Sequence, residues 1–393
     1  MTVAAHVIGA GLSGLVSAWH LAEHGFDVTV FDRGSGPGGL IQSRITEHGL
    51  VETAANAFVR DQRVDVWFSR LDLDALTPRK ESRRRYVFRD GRPRRWPLRM
   101  GESAGLAWRL TRTALGRQFS ARAGESMADW GGRVAGPAAT QWLLEPAMQG
   151  VYATSAGRLS AAVLFHARRS GRRKMIVPAG GMGEFAMRLH QALAARDVHF
   201  EFNHDVAAID PGVRTIVATD ASSAGRLLSG LAPDLSEALG RVRIAPLVTV
   251  TQFFEPHDAD VRGFGVLFPE ASGISALGVL FNADIFDARS SVRSETWIVG
   301  DRDRGLTEQS ETALLERLAD DRHRLTGRSQ APLASHVTRW PRAIPVYDRT
   351  IAEVQAALSA LPSKTALAGN YLGRIGVAAL LSGAEDAASQ LAL

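Results

Sequence analysis

Residues 6–14 read His6-Val-Ile-Gly9-Ala-Gly11-Leu12-Ser13-Gly14, and Leu15-Val-Ser-Ala-Trp-His-Leu-Ala22 follows at once. An apolar run breaks into Gly-x-Gly-x-x-Gly and continues as a helical stretch. A strand that ends in this spacing and opens a helix is a site for a dinucleotide pyrophosphate. Gly9 serves the tight turn, Gly11 lets the phosphates approach the backbone, and Gly14 lets helix and strand pack closely. Leu12 and Ser13 open the helix, whose unpaired N–H groups and dipole favour an anion. The glycine spacing alone is weak, and the next segment supplies its context. Asp27-Val-Thr-Val-Phe31 reads as a second strand ending in Asp32, 23 positions after Gly9. A carboxylate placed there accepts ribose hydroxyls.

The residues after Asp32 bear on which dinucleotide is bound. Arg33-Gly-Ser-Gly-Pro-Gly38-Gly39-Leu40 sets a second glycine-rich loop beside the first. Such a loop runs along the phosphates of a flavin with no Cβ in the way, which favours FAD over a nicotinamide. Near the other end, Gly369-Asn370-Tyr371 and Gly376-Val377 lead into an apolar, alanine-rich helical stretch. Alone, that helix is ordinary packing. Paired with the N-terminal fingerprint, its N-terminus can close on the same FAD from the other side.

With these features the chain resembles the protoporphyrinogen oxidase branch of the flavin amine oxidase superfamily, nearly end to end. Glu52-Thr-Ala-Ala-Asn56-Ala-Phe58 is similar to the family's Glu-x-Gly-x-Asn-x-Phe segment. Glu145-Pro146-Ala-Met-Gln-Gly150-Val-Tyr152, Gly180-Gly181-Met182 and Gly263-Phe-Gly265-Val-Leu267-Phe-Pro269 resemble further family motifs. So do Leu277-Gly278-Val-Leu280, Phe286-Asp-Ala-Arg289 and Trp340-Pro-Arg-Ala343-Ile-Pro345. The resemblance implies an α/β fold: a Rossmann-like FAD-binding domain of the amine-oxidase type, an inserted mixed-sheet substrate domain and a helical, membrane-associating domain. The expected boundaries are 1–80, 176–225 and 345–393 for FAD, 81–96 and 226–344 for substrate, and 97–175 for the helices.

The resemblance further implies an FAD-dependent oxidase that converts protoporphyrinogen IX or coproporphyrinogen III to the porphyrin with O2. Asn56 and Val206 join the cofactor residues by family position. Arg85 matches an arginine that binds a substrate propionate, and a guanidinium suits a bidentate carboxylate pair. Strand alternation is expected to put Arg83 on the same face as Arg85, with Arg84 opposite. Leu267 and Leu280 match residues flanking the macrocycle, and Ile298 matches a position often held by phenylalanine. The Gly150 carbonyl is a catalytic candidate for taking a pyrrole proton while a bridging carbon gives hydride to the flavin. Two other readings stay open: an amine oxidase or desaturase of secondary metabolism, and a non-catalytic flavin- or tetrapyrrole-binding homologue.

Composition is consistent with these readings. The 393 residues are 45% hydrophobic and 22% charged, with no cysteine. That excludes disulfides, thiolate metal sites and a cysteine-linked flavin. Eleven histidines lack metal spacing, and no HExxH, P-loop or nucleophile elbow occurs. No signal-like segment and no apolar run near the roughly 18 residues of a membrane span is found, so a cytoplasmic protein, peripheral on the membrane, is expected. Lys+Arg exceed Asp+Glu by 46 to 41, with arginines concentrated from Arg79 to Arg122. No nucleic-acid motif accompanies them. From Leu98 to Arg122, apolar residues interleave with Arg99, Arg109, Arg112 and Arg117. This segment suits either an anionic membrane interface or an ordinary surface helix. A homodimer is also compatible.

Local signals predict a hairpin around Asp90-Gly91, a helix from Glu184 to Ala195, strands near Val198 to Ile209 and a helix from Thr307 to Leu325. Some stretches depart from the family pattern. The chain runs almost directly from Ile209 to Ala218-Thr219-Asp220 where relatives carry a hairpin. Arg374 replaces a small residue near the flavin end, Thr154-Ser155 stand for Gly-Asp, and Asn282 stands for a serine.

Overall fold

The computed structural model describes residues 3–166, 174–257, 260–300, 304–373 and 376–392. Its first sheet is wholly parallel, in the order β10 (His199–Glu201), β2 (Asp27–Phe31), β1 (Ala4–Ile8), β11 (Arg214–Val217), β17 (Thr365–Leu367). Ala5, Val7, Val28, Val30 and Ile216 are buried on one of its faces, and Ile8, Val217 and Leu367 on the other. Apolar residues on both strand faces are what a parallel sheet covered by helices requires. On one side pack the helices Leu12–Glu23, Met182–Ala194 and Val377–Ala392. On the other lie Ala221–Leu228, Pro233–Arg241 and Arg349–Ala357. The chain turns to opposite sides of β1 for β2 and β11, so a crevice opens at the carboxyl ends of these strands.

The second sheet has seven strands: β16 (Ala334–Pro345), β12 (Ile244–Phe254), β15 (Arg293–Val299), β14 (Gly278–Phe281), β13 (Gly265–Leu267), β7 (Arg85–Arg89) and β8 (Arg92–Arg94). All neighbours are antiparallel except β13 and β7. One face carries Phe88, Val248, Val250, Val266, Phe268, Phe281 and Trp297, buried against Leu314, Leu318 and Leu325 of the Glu311–Thr326 helix. The other face turns toward the glycine loops of the first sheet. Small sheets complete the frame: β3 (Ser43–Thr46) with β4 (Gly49–Glu52), and β5 (Phe58–Val59) and β6 (Ala75–Leu76) on either side of β9 (Met175–Pro178).

Local expectations hold in part. The Asp90-Gly91 turn has φ of 53° and 74°, the two positive values of a type I′ hairpin. The helix expected over Thr307–Leu325 is instead two, Arg304–Glu308 and Glu311–Thr326. Ser310 starts the second, accepting from Ala313 N at 3.3 Å. The strands expected near Val198 to Ile209 reduce to β10. Beyond it, Asn203 N and His204 N donate to the carbonyls of Gly34 and Asp32, tying this stretch to the loop after β2. Arg83 ends the short 3-10 turn Lys80–Arg83 and lies outside β7, so strand alternation does not pair it with Arg85. The segment from Leu98 to Arg122 is helical only over Met100–Leu115, and Leu98 is buried. Arg374 lies outside the described residues.

The Met100–Leu115 helix is held to the hairpin by one buried fork. Arg89, 4% exposed, donates from Nη1 and Nη2 to the Glu102 carboxylate at 2.6 and 2.8 Å. The Arg99 backbone N–H adds a third donor at 2.8 Å. Together, Arg89 first, they hold the Glu102 carboxyl at about 2, below its ordinary 4.5. A depressed carboxylate stabilises the fold fully above the unfolded-state value and loses that contribution as pH falls through the folded one. Glu102→Gln is therefore expected to lower Tm at pH 7, with the gap to wild type narrowing between pH 4.5 and 2. Thermal melts across that range check it, and a pH-independent gap would assign the loss to packing.

Candidate active site

At the carboxyl ends of β1, β2 and β11 lies a cavity of about 580 Å³, within the size range of cofactor sites. Gly9, Gly11, Leu12, Ser13, Asp32, Arg33, Gly38, Gly39, Leu40, Val206, Gly369, Asn370 and Val377 line it. These cofactor candidates come from five separate stretches of sequence. Gly14 lies beneath the lining, and Gly376 and Asn56 also lie outside it. Asn56 borders a smaller cavity with Leu280.

The three fingerprint glycines answer different demands. A Cβ on Gly14 would lie 1.7 Å from the Gly9 carbonyl oxygen, so helix and strand tolerate no side chain there. Gly9 has φ of 112°, and its Cβ would meet Ala218 O at 2.6 Å. A Cβ on Gly11 would meet no protein atom within 4 Å. The protein alone does not require glycine at this position. The space a side chain would take belongs to the cavity, which fits a pyrophosphate cradle. Gly38 backs Gly11: its N–H donates to Ala10 O at 2.9 Å, and the two glycines form an isolated bridge.

Asp32 is oriented for its role. One carboxylate oxygen accepts from Ala10 N at 2.6 Å and the other from Gly34 N at 2.7 Å, leaving further lone pairs toward the cavity. Across from it, Asp220 caps the Ala221–Leu228 helix and holds Arg342 at 3.5 Å and Arg33 at 3.9 Å. Tyr347 donates to the Asn370 carbonyl, and burial raises its phenol pKa, so it stays neutral. His204, Thr219, Asp220, Arg226 and Arg342 line this cavity too. Sequence reading missed them as site residues because nothing in their spacing links segments over a hundred residues apart.

The substrate candidates come together on the second sheet. Register sets Arg85, Gly265 and Leu280 side by side in one row, with Leu267, Gly278 and Ile298 in the next. Paired and alternate residues share a face, so all four candidates point the same way. That face meets the elements built around the first sheet. Leu280 packs on its core, and Ile298 shares a cluster with Leu40, Ala54 and Trp340. Thr249 Oγ1 and Trp340 Nε1 both donate to the Thr53 carbonyl, at 2.8 and 2.9 Å, joining the two parts. Gly150 closes the row from the helical side, where a Cβ would lie 3.0 Å from Leu267 Cδ2. Arg85 is exposed, its guanidinium 4.4 Å from the centre of the Phe264 ring. Asn282 donates to Ser294 and Thr296, bracing the sheet as it leaves β14.

A dinucleotide crevice that abuts a half-buried sheet face, both built by one chain, defines a flavin-dependent oxidoreductase. A family model described as flavin containing amine oxidoreductase matches residues 12–384, and the chain belongs to that family. It is 22% identical to Protoporphyrinogen oxidase 2, chloroplastic/mitochondrial, of Arabidopsis thaliana, over 94% of this chain and 90% of that protein. It is 26% identical to the Coproporphyrinogen III oxidase of Mycobacterium bovis, over 98% and 96%. The match to the chloroplastic protoporphyrinogen oxidase of Oryza sativa subsp. japonica is 28% identical and spans 45% of this chain but only 37% of that protein's length. Among solved structures, a provisionally named protoporphyrinogen oxidase from Exiguobacterium sp. 255-15 superposes with a TM-score of 0.83 at 16% identity, covering 100% of this chain and 99% of the other. A putrescine oxidase does so at 0.79 and 14%, with the same coverage. At such identities these structures establish the fold, and the cofactor of the family is FAD.

Two substitutions separate cofactor space from packing. Gly11→Val is expected to leave Tm within a few degrees and abolish bound flavin. Gly14→Val is expected to prevent folding altogether, because its Cβ would overlap the Gly9 carbonyl and no side-chain rotation moves a Cβ or a backbone carbonyl. Flavin absorbance per chain and thermal melts read both. A yellow Gly11→Val protein would detach that position from the pyrophosphate.

Proposed function

We propose that this flavoprotein oxidises a porphyrinogen to the porphyrin with O2 as acceptor. The observation that carries the reading is the shared sheet face: Arg85, Leu280, Leu267 and Ile298 in adjacent rows, with the Gly150 backbone against Leu267. A large apolar macrocycle with carboxylate tails asks for such a half-buried apolar face with a cation beside it. FAD, when bound, would supply three successive two-electron oxidations, with O2 taking the electrons after each, as the six-electron conversion of porphyrinogen to porphyrin requires. The protein's part is to hold the ring flat against Leu267, Leu280 and Ile298, to exclude water, and to pair a propionate with Arg85. The Gly150 carbonyl is the proposed acceptor for a pyrrole proton.

The chief alternative within the family is an amine oxidase. An aromatic cage beside the flavin would mark an amine site, and Tyr371, a candidate member by position, is fully buried beneath Gly369. None of the four tyrosines lines the large cavity among the described residues. That weighs against an amine site. Whether the substrate carries two propionates or four is a question of how many cations surround the mouth.

Arg85→Ala is expected to raise KM by roughly 10- to 100-fold, the equivalent of about 1.5–3 kcal/mol for a charge-assisted hydrogen bond. Flavin content should not change. Leu280→Arg should cut turnover far more by filling the face. Porphyrin fluorescence appearing under air, less the uncatalysed rate, measures both. A wild-type KM for Arg85→Ala would remove the propionate assignment.

We further propose that the Met100–Leu115 helix rests on an anionic membrane surface. No helix among the described residues is long and apolar enough to cross a membrane. This helix buries only Thr113, while Met100, Trp108 and Leu115 are 92%, 70% and 83% exposed. At 100° per residue, these three and Ala104 share its outward face. Arg112 and Arg117 lie beside it and Arg109 lies against Gly136, none with an acid partner in the described structure. Binding to anionic vesicles should be salt-sensitive and lost in Arg109→Glu/Arg112→Glu/Arg117→Glu. Co-sedimentation tests this, and wild-type protein that stays in the supernatant at low salt would leave an ordinary surface helix.

A further inference from the structure

We infer that Arg289 is a second, buried carboxylate receptor at the inner end of the substrate face. The inference rests on the porphyrinogen reading and extends it. Arg289 is 4% exposed, and its Nη1 donates to Glu52 Oε1 at 2.7 Å. Its Nε and Nη2 have no acceptor. Glu52 cannot serve them without giving up other bonds. Oε1 also accepts from Met182 N at 2.9 Å, and Oε2 accepts from Ser43 Oγ at 2.6 Å. A guanidinium buried with two of its three nitrogens unsatisfied is costly unless something else fills the gap.

The space beside it has a matching shape. Arg289 borders a cavity of about 30 Å³ together with Asn56, Phe264, Leu280 and Asn282. At about 10–15 Å³ per water-sized group, this admits two oxygen-sized atoms and no ring. A carboxylate tip has those dimensions, and the Arg fork is the group that binds it with two parallel hydrogen bonds. The Glu52 carboxylate, Asn56 and Asn282 also line it and the rest is apolar; Glu52 holds Nη1, so an incoming carboxylate would be received by the unpaired Nε and Nη2 of Arg289. Two features join this pocket to the substrate face. Leu280 belongs to both, and the Phe264 ring that borders the pocket also carries the Arg85 guanidinium. One exposed and one buried arginine thus border the same ring. Two propionates on neighbouring pyrroles would be received separately, the first by Arg85 and the second by Arg289. Ordered water in the pocket, with Arg289 only locking the domains together, is the competing outcome.

The test uses flavin-loaded protein and two probes, protoporphyrin IX and its dimethyl ester, titrated by fluorescence. Glu52→Gln/Arg289→Met removes both charges of the pair together and so leaves no buried ion unmatched. It should bind the diacid at least tenfold more weakly than wild type and the ester equally well. Glu52→Gln alone, which keeps Arg289, should retain the preference for the diacid. Flavin content and melts verify that each variant is folded. If the double variant does not fold, Arg289→Lys takes its place, with an expected loss of threefold or more for the diacid only. Unchanged diacid affinity in the folded variant overturns the Arg289 assignment and leaves the porphyrin reading standing. Wild-type protein that binds neither probe overturns both.

Discussion

The contact on which this molecule depends is backbone against backbone at the first strand–helix junction. Gly14 lies so near the Gly9 carbonyl that a Cβ would sit 1.7 Å from the oxygen, and Gly9 itself presses on Ala218 at the end of β11. That closeness draws the Leu12–Glu23 helix, β1 and β11 into one unit and points the helix N-terminus at the crevice between the strands. The second glycine loop uses the same freedom, since only glycine lets residues 38–39 lie against Gly11. An anion site follows from this packing: helix dipole, free N–H groups and an absence of side chains occur together at one point. The Val377–Ala392 helix, packed along the first, brings Val377 to the same cavity.

The seven-stranded sheet solves a different problem, having one face for stability and one for a ligand. Its outer face is sealed by aromatic and aliphatic residues under the Glu311–Thr326 helix. Its inner face carries smaller and more polar groups: Gly265, Gly278, Thr249, Thr251 and Thr296, with Leu267, Leu280 and Ile298 between them. Three buried threonines satisfy their hydroxyls among neighbours, Thr249 to the Thr53 carbonyl and Thr251 with Thr296 at 2.8 Å. The sheet is therefore firm behind its inner face, on which Leu267, Leu280 and Ile298 stay half-buried. Burial of the Arg289–Glu52 pair at the junction ties this sheet to the β3–β4 hairpin, so the position of the face is set relative to the glycine loops.

Local chemistry was enough to place several elements. The apolar run before Gly9, the Asp90-Gly91 turn and the glycine spacing each act over a few residues, and the structure forms them where the sequence places them. Errors arose where tertiary bonds outcompete local pattern. The stretch from Val198 to Ile209 reads as strands, yet beyond Glu201 the N–H groups of Asn203 and His204 go to the loop carbonyls of Gly34 and Asp32. Arg83 reads as strand until the turn Lys80–Arg83 takes it. The apolar periodicity through Gln309-Ser310 reads as one helix, but the Ser310 side chain caps a new one.

The sequence by itself determined the dinucleotide site, because its glycines and Asp32 lie within one βαβ unit and act through their own backbones. It also determined family membership, through ordered short motifs. Only the tertiary structure decided which side chains meet. Arg85, Leu267, Leu280 and Ile298 span over 200 positions and share a face through strand register, which no local pattern encodes. Arg342, Asp220 and Arg33 reach one another across the cavity for the same reason. Arg289 is the clearest case. In sequence it is one arginine among many, and only burial, with a single acceptor and a small cavity beside it, sets it apart. Desolvation creates that distinction, and desolvation is a property of the folded chain.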